Sequence, residues 1–521
     1  MALDRSVLVP RPEHGTVLRT VSGKTYVYYA TAVYRNEKGQ PTCERSSIGR
    51  LDEETGMLIP NRNYYEIYLK QSQPMNGSVM SHGVYHMFMA VAEKLGLTAI
   101  LKKYFPDMYK EILTAAQYML SEGNVMAYVE DYTESHDTAV GGLLSDVQCS
   151  KLFASIRQED ILLFMRDWMK QRKTDEYVAY DVTSISSYSK QIEGLEWGYN
   201  RDKEKLPQIN MGLYYGEESG LPLYYRVYPG SISDKAHLQY MVADNELIRG
   251  KKMRYVMDRG FYSAENLQYL VQKGHRFVIA LPGSLRYGKE LIHRRRKEIV
   301  NVSKAKLGNG LPYGKSYDVT ELGFRMRVHV YYDPQKALQD SEALYELLER
   351  QENDLSGMET PPDRKYHYDK YFLINRTKDG KMGYVRNHKA IDEALERCGF
   401  FLIAETDFQK TSKEILQIYR NRDTVEKSFD NLKNDLDCKR LHVHNAGSMQ
   451  GKLFTAFLSL IVRAYMQQHK PEQTMTQKKM LLELDKIKTL DLHANTKPRL
   501  LNPITKSAGT LLQVLNIPLP V

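Results

Sequence analysis

The sequence is poor in cysteine, in tryptophan and in long apolar runs, and each shortage removes a class of protein. Its 4 cysteines, Cys43, Cys149, Cys398 and Cys438, are scattered through 521 residues without a C-x-x-C pair. That pattern excludes a zinc ribbon and a disulfide scaffold, and it suits a reducing cytoplasm. The longest apolar run, Phe457-Leu458-Ser459-Leu460-Ile461-Val462, is stopped by Arg463. A membrane-spanning helix needs about 20 such residues. The start, MALDRSVLVP, lacks the basic segment and apolar stretch of a signal peptide. Only two tryptophans, Trp168 and Trp197, stand against 38 tyrosines. We read most of those tyrosines as half-buried strand residues with a polar tip at the surface.

What is present is the balance of a globular protein, 42% hydrophobic and 26% charged. It argues against a disordered tail, a collagen and a coiled-coil rod. The length implies about two to four domains of roughly 100–200 residues each. A formal charge of +9 permits a nucleic-acid partner without requiring one. The charge is unevenly spread. Residues 286–306 hold eight basic and two acidic side chains, and residues 439–521 hold twelve basic and four acidic. These two segments net +14, so the rest of the chain nets −5 and is acidic.

The pattern along the chain divides it into five parts. Residues 1–75 read as a β-rich region and 76–173 as a helical one, in which Val84, Met87, Phe88 and Val91 recur at helical spacing. If the partner that the charge permits is a nucleic acid, both would be candidates for DNA-binding, or the helical part for dimerisation. Strand-like runs at 177–185, 208–215, 221–228, 253–258 and 276–281 follow, with helix-length gaps before the last two. The first three are read as antiparallel neighbours, with a short turn between the second and third, and helical crossovers make the later ones parallel. The expected fold is α/β, a mixed five-stranded sheet flanked by helices over 174–282 and 399–468. Residues 283–398 read as a β-rich insertion and 469–521 as a basic C-terminal region.

Two aspartates stand at the ends of apolar strands, Asp181 after Tyr177-Val178-Ala179-Tyr180 and Asp258 after Arg254-Tyr255-Val256-Met257. Open α/β sheets place their sites at such carboxyl ends. Asp is also common there simply as a turn or N-cap residue. The helix expected over 411–436 carries Tyr419, Arg422, Glu426 and Lys433 at offsets of 3, 4 and 7. They fall in one stripe beside the apolar face of Ile418, Val425, Phe429 and Leu432. An i,i+4 pair such as Arg422–Glu426 also suits an ordinary solvated face.

Tyr419-x2-Arg422-x3-Glu426-x6-Lys433 resembles the Y-R-E-K signature of DDE transposases from bacterial insertion sequences. Tyr180-Asp181-Val182-Thr183 looks like that family's first-Asp motif, and Asp258-Arg259-Gly260-Phe261-Tyr262-Ser263 like its second. The segment Tyr228-Pro229-Gly230-Ser231-Ile232-Ser233-Asp234 resembles a stretch upstream of the second Asp. The likeness covers about residues 175–465. It implies an RNase H-like catalytic domain with an insertion, acting in a bacterial cytoplasm on the nucleoid. Asp181, Asp258 and Glu426 would be the catalytic residues and would hold two Mg²⁺ ions, with Mn²⁺ able to substitute. Three carboxylates suit that task, because in-line displacement at phosphorus uses two hard cations and hard cations prefer oxygen ligands.

The resemblance further implies cut-and-paste transposition: binding of double-stranded terminal inverted repeats, cleavage, and strand transfer to target DNA by a homodimer. Tyr419, Arg422 and Lys433 would contact DNA at the cut. In the insertion, Arg294, Arg295, Arg296 and Lys297, and the alternating Arg325 and Arg327, are the expected backbone contacts. Hairpin-forming members are expected to stack an extruded base on an insertion Trp. Here the insertion has none, and Tyr313, Tyr331 or Tyr366 are the substitutes. Two other readings stay open: an RNase H-like nuclease without strand transfer, and a catalytically silent DNA-binding protein derived from a transposase.

Overall fold

The computed structural model describes residues 7–36, 38–70, 78–172, 175–200, 204–248, 250–358, 368–376, 382–443, 445–471, 475–491 and 499–520. The β-rich start forms an antiparallel sheet, β1 (Thr16–Val21), β2 (Lys24–Arg35), β3 (Pro41–Leu51) and β4 (Leu58–Pro60), paired in that order. Its core is small, built on Val27, Ile48, Leu58 and Tyr64. A short strand β5 (Ser78–Ser81) leads into α1 (Gly83–Lys94), α2 (Leu97–Tyr104), α3 (Tyr109–Glu122), α4 (Val129–Ser135), α5 (Asp146–Ser155) and α6 (Gln158–Lys170). The helical spacing of Val84, Met87, Phe88 and Val91 puts all four inside α1's buried face.

The large sheet begins with β6 (Tyr177–Ser186), every residue of which is buried, the mark of a strand covered on both faces. Strands β7 (Gln208–Gly216) and β8 (Pro222–Pro229) follow it antiparallel. After α7 (Asp234–Ile248) comes β9 (Arg254–Met257), and after α8 (Ala264–Gln272) comes β10 (Arg276–Ala280), both running parallel to β6.

The sheet then grows beyond the five strands expected. The insertion supplies α9 (Arg286–Arg295), β11 (Tyr313–Glu321), β12 (Phe324–Tyr332), α10 (Pro334–Ser356), β13 (Phe372–Arg376), β14 (Met382–Arg386) and α11 (His388–Leu395), and β15 (Phe400–Glu405) follows. The full order is β11-β12-β15-β10-β9-β6-β7-β8, eight strands. The alternation in β12 does bury Met326, Val328 and Val330, but alternation cannot say which edge a strand will join. β15 pairs with β10 and offers its other edge to β12, so the first part of the insertion extends the sheet. The rest closes on its own core of Leu344, Leu348, Leu355, Phe372 and Ile391.

The chain ends with α12 (Ser412–Asn421), α13 (Asp423–Asp430), α14 (Ala446–Gln468), α15 (Gln477–Leu484), β16 (Lys488–Asp491), β17 (Arg499–Leu500) and α16 (Lys506–Val514). β16 pairs with both β5 and β17. Apart from Gln450, every residue from Ser448 to Met466 is buried. A helix apolar all round belongs inside a core, and α14 packs on α3, α5 and β8. Phe454 sits between Phe105 and Phe164, with ring centroids 5.3 and 5.0 Å away. Phe454→Ala is therefore expected to cost about 3–5 kcal/mol, read as a lowered urea midpoint.

Lys452 on α14 is 3% exposed. Burial pulls its ammonium down to about 8, against partial opposition from Cys438, Cys149 and Asp437. The unfolded lysine keeps its proton to a higher pH, so stability rises as pH climbs from about 8 towards the ordinary lysine range. Lys452→Met should abolish that rise and stabilise the protein at neutral pH by up to about 3 kcal/mol. Denaturant midpoints at pH 7 and at pH 10 check both points.

Several tyrosines lie deeper than their polar tips suggest. Tyr180, Tyr214 and Tyr255 are fully buried. They close on one another as ring pairs at 5.6 Å between the sheet and its helices. The Tyr214 hydroxyl donates to that of Tyr255 at 3.4 Å, which satisfies a group that would otherwise be stranded.

Candidate active site

Asp181 lies in the middle of β6, not at its end. The strand runs on through Thr183, Ser184 and Ser186 because β7 continues to pair with it as far as Gln208. On the other side β9 stops at Met257, in register with Tyr180. The next residue after each member of that last pair is an aspartate, so Asp181 and Asp258 directly follow two cross-strand neighbours. The missing continuation of β9 opens the sheet beside Asp181. Asp181 is nonetheless only 2% exposed and accepts a hydrogen bond from the Val182 amide at 2.8 Å. Asp258 is half-buried and stands at the start of the short turn Arg259–Phe261 without a capping hydrogen bond from its side chain.

The expected helix 411–436 is broken into α12, α13 and a wide turn at Asn431–Asp435. At the join, the Arg422 amide bonds to the Tyr419 carbonyl and the Val425 amide to the Arg422 carbonyl. These i→i+3 bonds tighten the backbone to about three residues per turn, which eclipses side chains three apart. Tyr419 and Arg422 therefore sit one above the other, the guanidinium carbon 5.4 Å from the ring centroid. Glu426, one turn further on, meets Arg422 Nη1 at 3.0 Å. α12 packs over β9 and β10 and α13 over β6, which brings this stripe to the aspartates. The Tyr419 hydroxyl donates to Asp258 Oδ1 at 3.1 Å.

Charge explains why Arg422 tolerates its place, 9% exposed. Burial pulls its guanidinium down, but Tyr419, Asp258, Glu426 and Asp181 more than reverse this and leave it above its ordinary value. For Tyr419, burial and the Asp258 charge push the phenol up, against Arg422 and Arg259. The Arg422 guanidinium thus faces all three carboxylates. Among the described residues no three His, Cys, Asp or Glu side chains already converge as ligands. Tyr419 holds an oxygen of Asp258, and Arg422 holds one of Glu426. The donor set is all carboxylate, which fits a hard divalent cation, and the Glu426 side chain is 52% exposed and has room to turn.

The structure brings Asp181, Asp258, Tyr419, Arg422 and Glu426 together. Lys433 is buried on the wide turn, out of step with an ideal helix. The basic residues of the insertion are elsewhere. Arg327 stands in register with Glu405, then Val278, Val256 and Ala179. Four strand spacings put it about 19 Å from β6. Arg325 and Arg327 both pair with Asp318, at 2.5 and 2.7 Å. Arg294 pairs with Glu290, Arg295 with Glu298 and Arg296 with Glu396, while Lys297 is exposed. The substitute stacking residues fare no better. Tyr331 is fully buried against Phe401, Tyr313 lies under Lys306, and Tyr366 falls outside the described residues.

Arg259 was not singled out in sequence, yet it is exposed beside Asp258 and close enough to act on Tyr419. Its place directly after the second aspartate was the available signal.

Residues 172–462 match a family model described as "Transposase DDE domain". A solved structure of a piggyBac transposase synaptic complex with hairpin DNA is similar at 11% identity and a TM-score of 0.31. The match covers 77% of this chain and 70% of that one, a level of likeness that carries no argument. No curated protein matches the chain.

Proposed function

Since this chain belongs to the DDE transposase family, we propose that it binds the terminal inverted repeats of its element, cuts them and joins them to target DNA. The observation that carries this reading is Arg422, which pairs with Glu426 and feels the charges of both Asp258 and Asp181, the aspartates that follow the last paired residues of β6 and β9. The strand order β8-β7-β6-β9-β10, three antiparallel and two parallel, supports an RNase H-like core inside the larger sheet.

Asp181, Asp258 and Glu426 would hold divalent cations, Mg²⁺ or Mn²⁺. Bound there, such ions activate the attacking oxygen and stabilise the leaving one during in-line displacement at phosphorus. The side chains supply the rest. Arg422 exchanges Glu426 for a phosphate oxygen, where its planar fork binds two oxygens at once. Tyr419 keeps Asp258 oriented until the ligand arrives. Water attack at phosphorus breaks the P–O3′ bond and leaves a 5′-phosphate and a free 3′-OH. That hydroxyl then attacks a target phosphate, forming a new phosphodiester as the target's own P–O3′ bond breaks and releases its 3′-OH. Two ends have to be paired, and a C2 homodimer is the simplest assembly that does so. We read the protein as one of the Y-R-E-K group of bacterial insertion sequences, acting on nucleoid DNA in the cytoplasm, a reading supported by the spacing Tyr419-x2-Arg422-x3-Glu426-x6-Lys433.

The test uses duplexes carrying the DNA that flanks the coding sequence, with Mg²⁺ or Mn²⁺ and a supercoiled plasmid. Free 3′-OH ends and integration products are expected. Cleavage without joining would reduce the protein to a nuclease, and specific binding without cleavage to a silent relative.

A further inference from the structure

The loop between β6 and β7 carries the most exposed aromatic side chains near the site. Tyr188 and Trp197 are each 67% exposed and Tyr199 is 84% exposed. Trp168, the other tryptophan, is fully buried and donates its indole N–H to the Pro222 carbonyl. Large rings left in water on a loop call for an explanation, because burying them is strongly favourable.

The loop backbone is held firmly. Glu196 and Gln208 exchange both backbone hydrogen bonds, at 3.0 Å each. The Gln208 side chain donates to the Tyr199 carbonyl at 2.9 Å, and the Gly230 amide to the Gly194 carbonyl at 3.3 Å. Ser231 donates to Glu196. Gly198 lies directly on the 229–231 turn, where a Cβ would fall 1.8 Å from the Gly230 carbonyl oxygen. The Tyr228–Asp234 motif thus acts as the clamp of this loop. Trp197 and Tyr199 are two residues apart, the spacing that puts side chains on one face of an extended chain.

The loop also continues the strand that carries Asp181. Ser186 ends β6 five residues later, about 17 Å along, or roughly five stacked nucleotides at about 3.4 Å each. There Ser186 pairs with the segment after the wide turn, accepting from Leu441 and donating to Lys439. Arg440 from that segment lies 4.8 Å over the Tyr188 ring. Lys190, Lys205 and Lys439 are exposed along these two segments, as are Glu193 and Glu196, while Glu204 pairs with Arg440.

We propose that Trp197 and Tyr199 form a platform on which unpaired bases of the DNA end stack, about five nucleotides from the cut. The proposal rests on the transposase reading. Aromatic faces accept any base, so the platform recognises unstacked nucleotides and not a sequence.

The two tryptophans make the test direct, since Trp197 alone is in water. Full-length protein is titrated, without metal, with a blunt duplex and with the same duplex bearing a six-nucleotide unpaired dT tail. Tailed DNA should quench Trp197 fluorescence, and blunt DNA should bind without quenching. Trp197→Ala should weaken binding of tailed DNA about tenfold and leave blunt DNA unchanged, while Trp197→Phe keeps most of the affinity. Gly198→Ala, which keeps both rings but displaces the loop, should reproduce the loss. Equal quenching by both DNAs, or unaltered tail binding by Trp197→Ala, would overturn the platform. So would a blue shift of Trp197 on self-association without DNA, which would make the loop an interface between copies. Metal-dependent cleavage is measured on the same preparation. Intact cleavage with a silent Trp197 sinks the platform alone, whereas no binding of any DNA sinks the transposase reading with it.

Discussion

Asp181→Asn, Asp258→Asn and Glu426→Gln are each expected to lower metal-dependent cleavage of the element ends by at least about 10³-fold, equivalent to about 4 kcal/mol. The substitutions keep size and hydrogen bonding, so the fold survives. Asp181 needs that care because it is 2% exposed inside a strand with neighbours on both sides. Glu426 needs it least, since its side chain is about half exposed. Single-turnover cleavage of pre-bound duplex separates the chemical step from binding. Binding of uncut ends should change little, because phosphate contacts and not carboxylates provide affinity for DNA. A variant that cuts at the wild-type rate would remove that residue from the site.

The second large effect belongs to Arg422. It is a buried cation facing Asp181, Asp258 and Glu426. Removing one partner of a fully buried ionic pair costs about 3–5 kcal/mol; solvent at Glu426 and Asp258 screens part of that here, leaving a loss of about 1–3 kcal/mol. Arg422→Ala should therefore unfold early in EDTA. Added Mg²⁺ should restore much of the loss, because a divalent cation replaces the missing charge. The wild type, already balanced, should gain less from Mg²⁺. Adding Glu426→Gln to Arg422→Ala should shrink the metal-dependent gain. Thermal denaturation without DNA reads all four cases. An Arg422→Ala protein as stable in EDTA as the wild type would show that the guanidinium does not balance these carboxylates.

Elements set by local pattern were legible in the sequence. The strands from Tyr177 to Ala280 and the helices between them fall where alternation, apolar runs and gap lengths put them. The set Tyr419, Arg422, Glu426 was legible for the same reason, since helical neighbours are a matter of spacing. Other features were beyond that reach. The stripe's geometry depends on a tightened turn at Arg422, and nothing in the residue spacing announces it. The strand-like run 177–185 was legible too, but its apolar part ends at Asp181, and only pairing with β7 shows that Thr183, Ser184 and Ser186 are buried.

Local sequence was enough for the periodicities, the order of the three carboxylates and the residue types available to hold a hard cation. Those depend only on neighbours along the chain. Tertiary packing decided which edges β12 and β15 would join, and hence that the sheet has eight strands. It decided that Arg294, Arg295, Arg296, Arg325 and Arg327 meet internal carboxylates, so the basic charge counted in the insertion is partly neutralised. It also decided that one scarce tryptophan is buried while the other stands in water at the end of the Asp181 strand. The physical reason is common to all three. Edge pairing, ion pairing and burial join residues far apart in the chain, and they are settled only when distant surfaces meet.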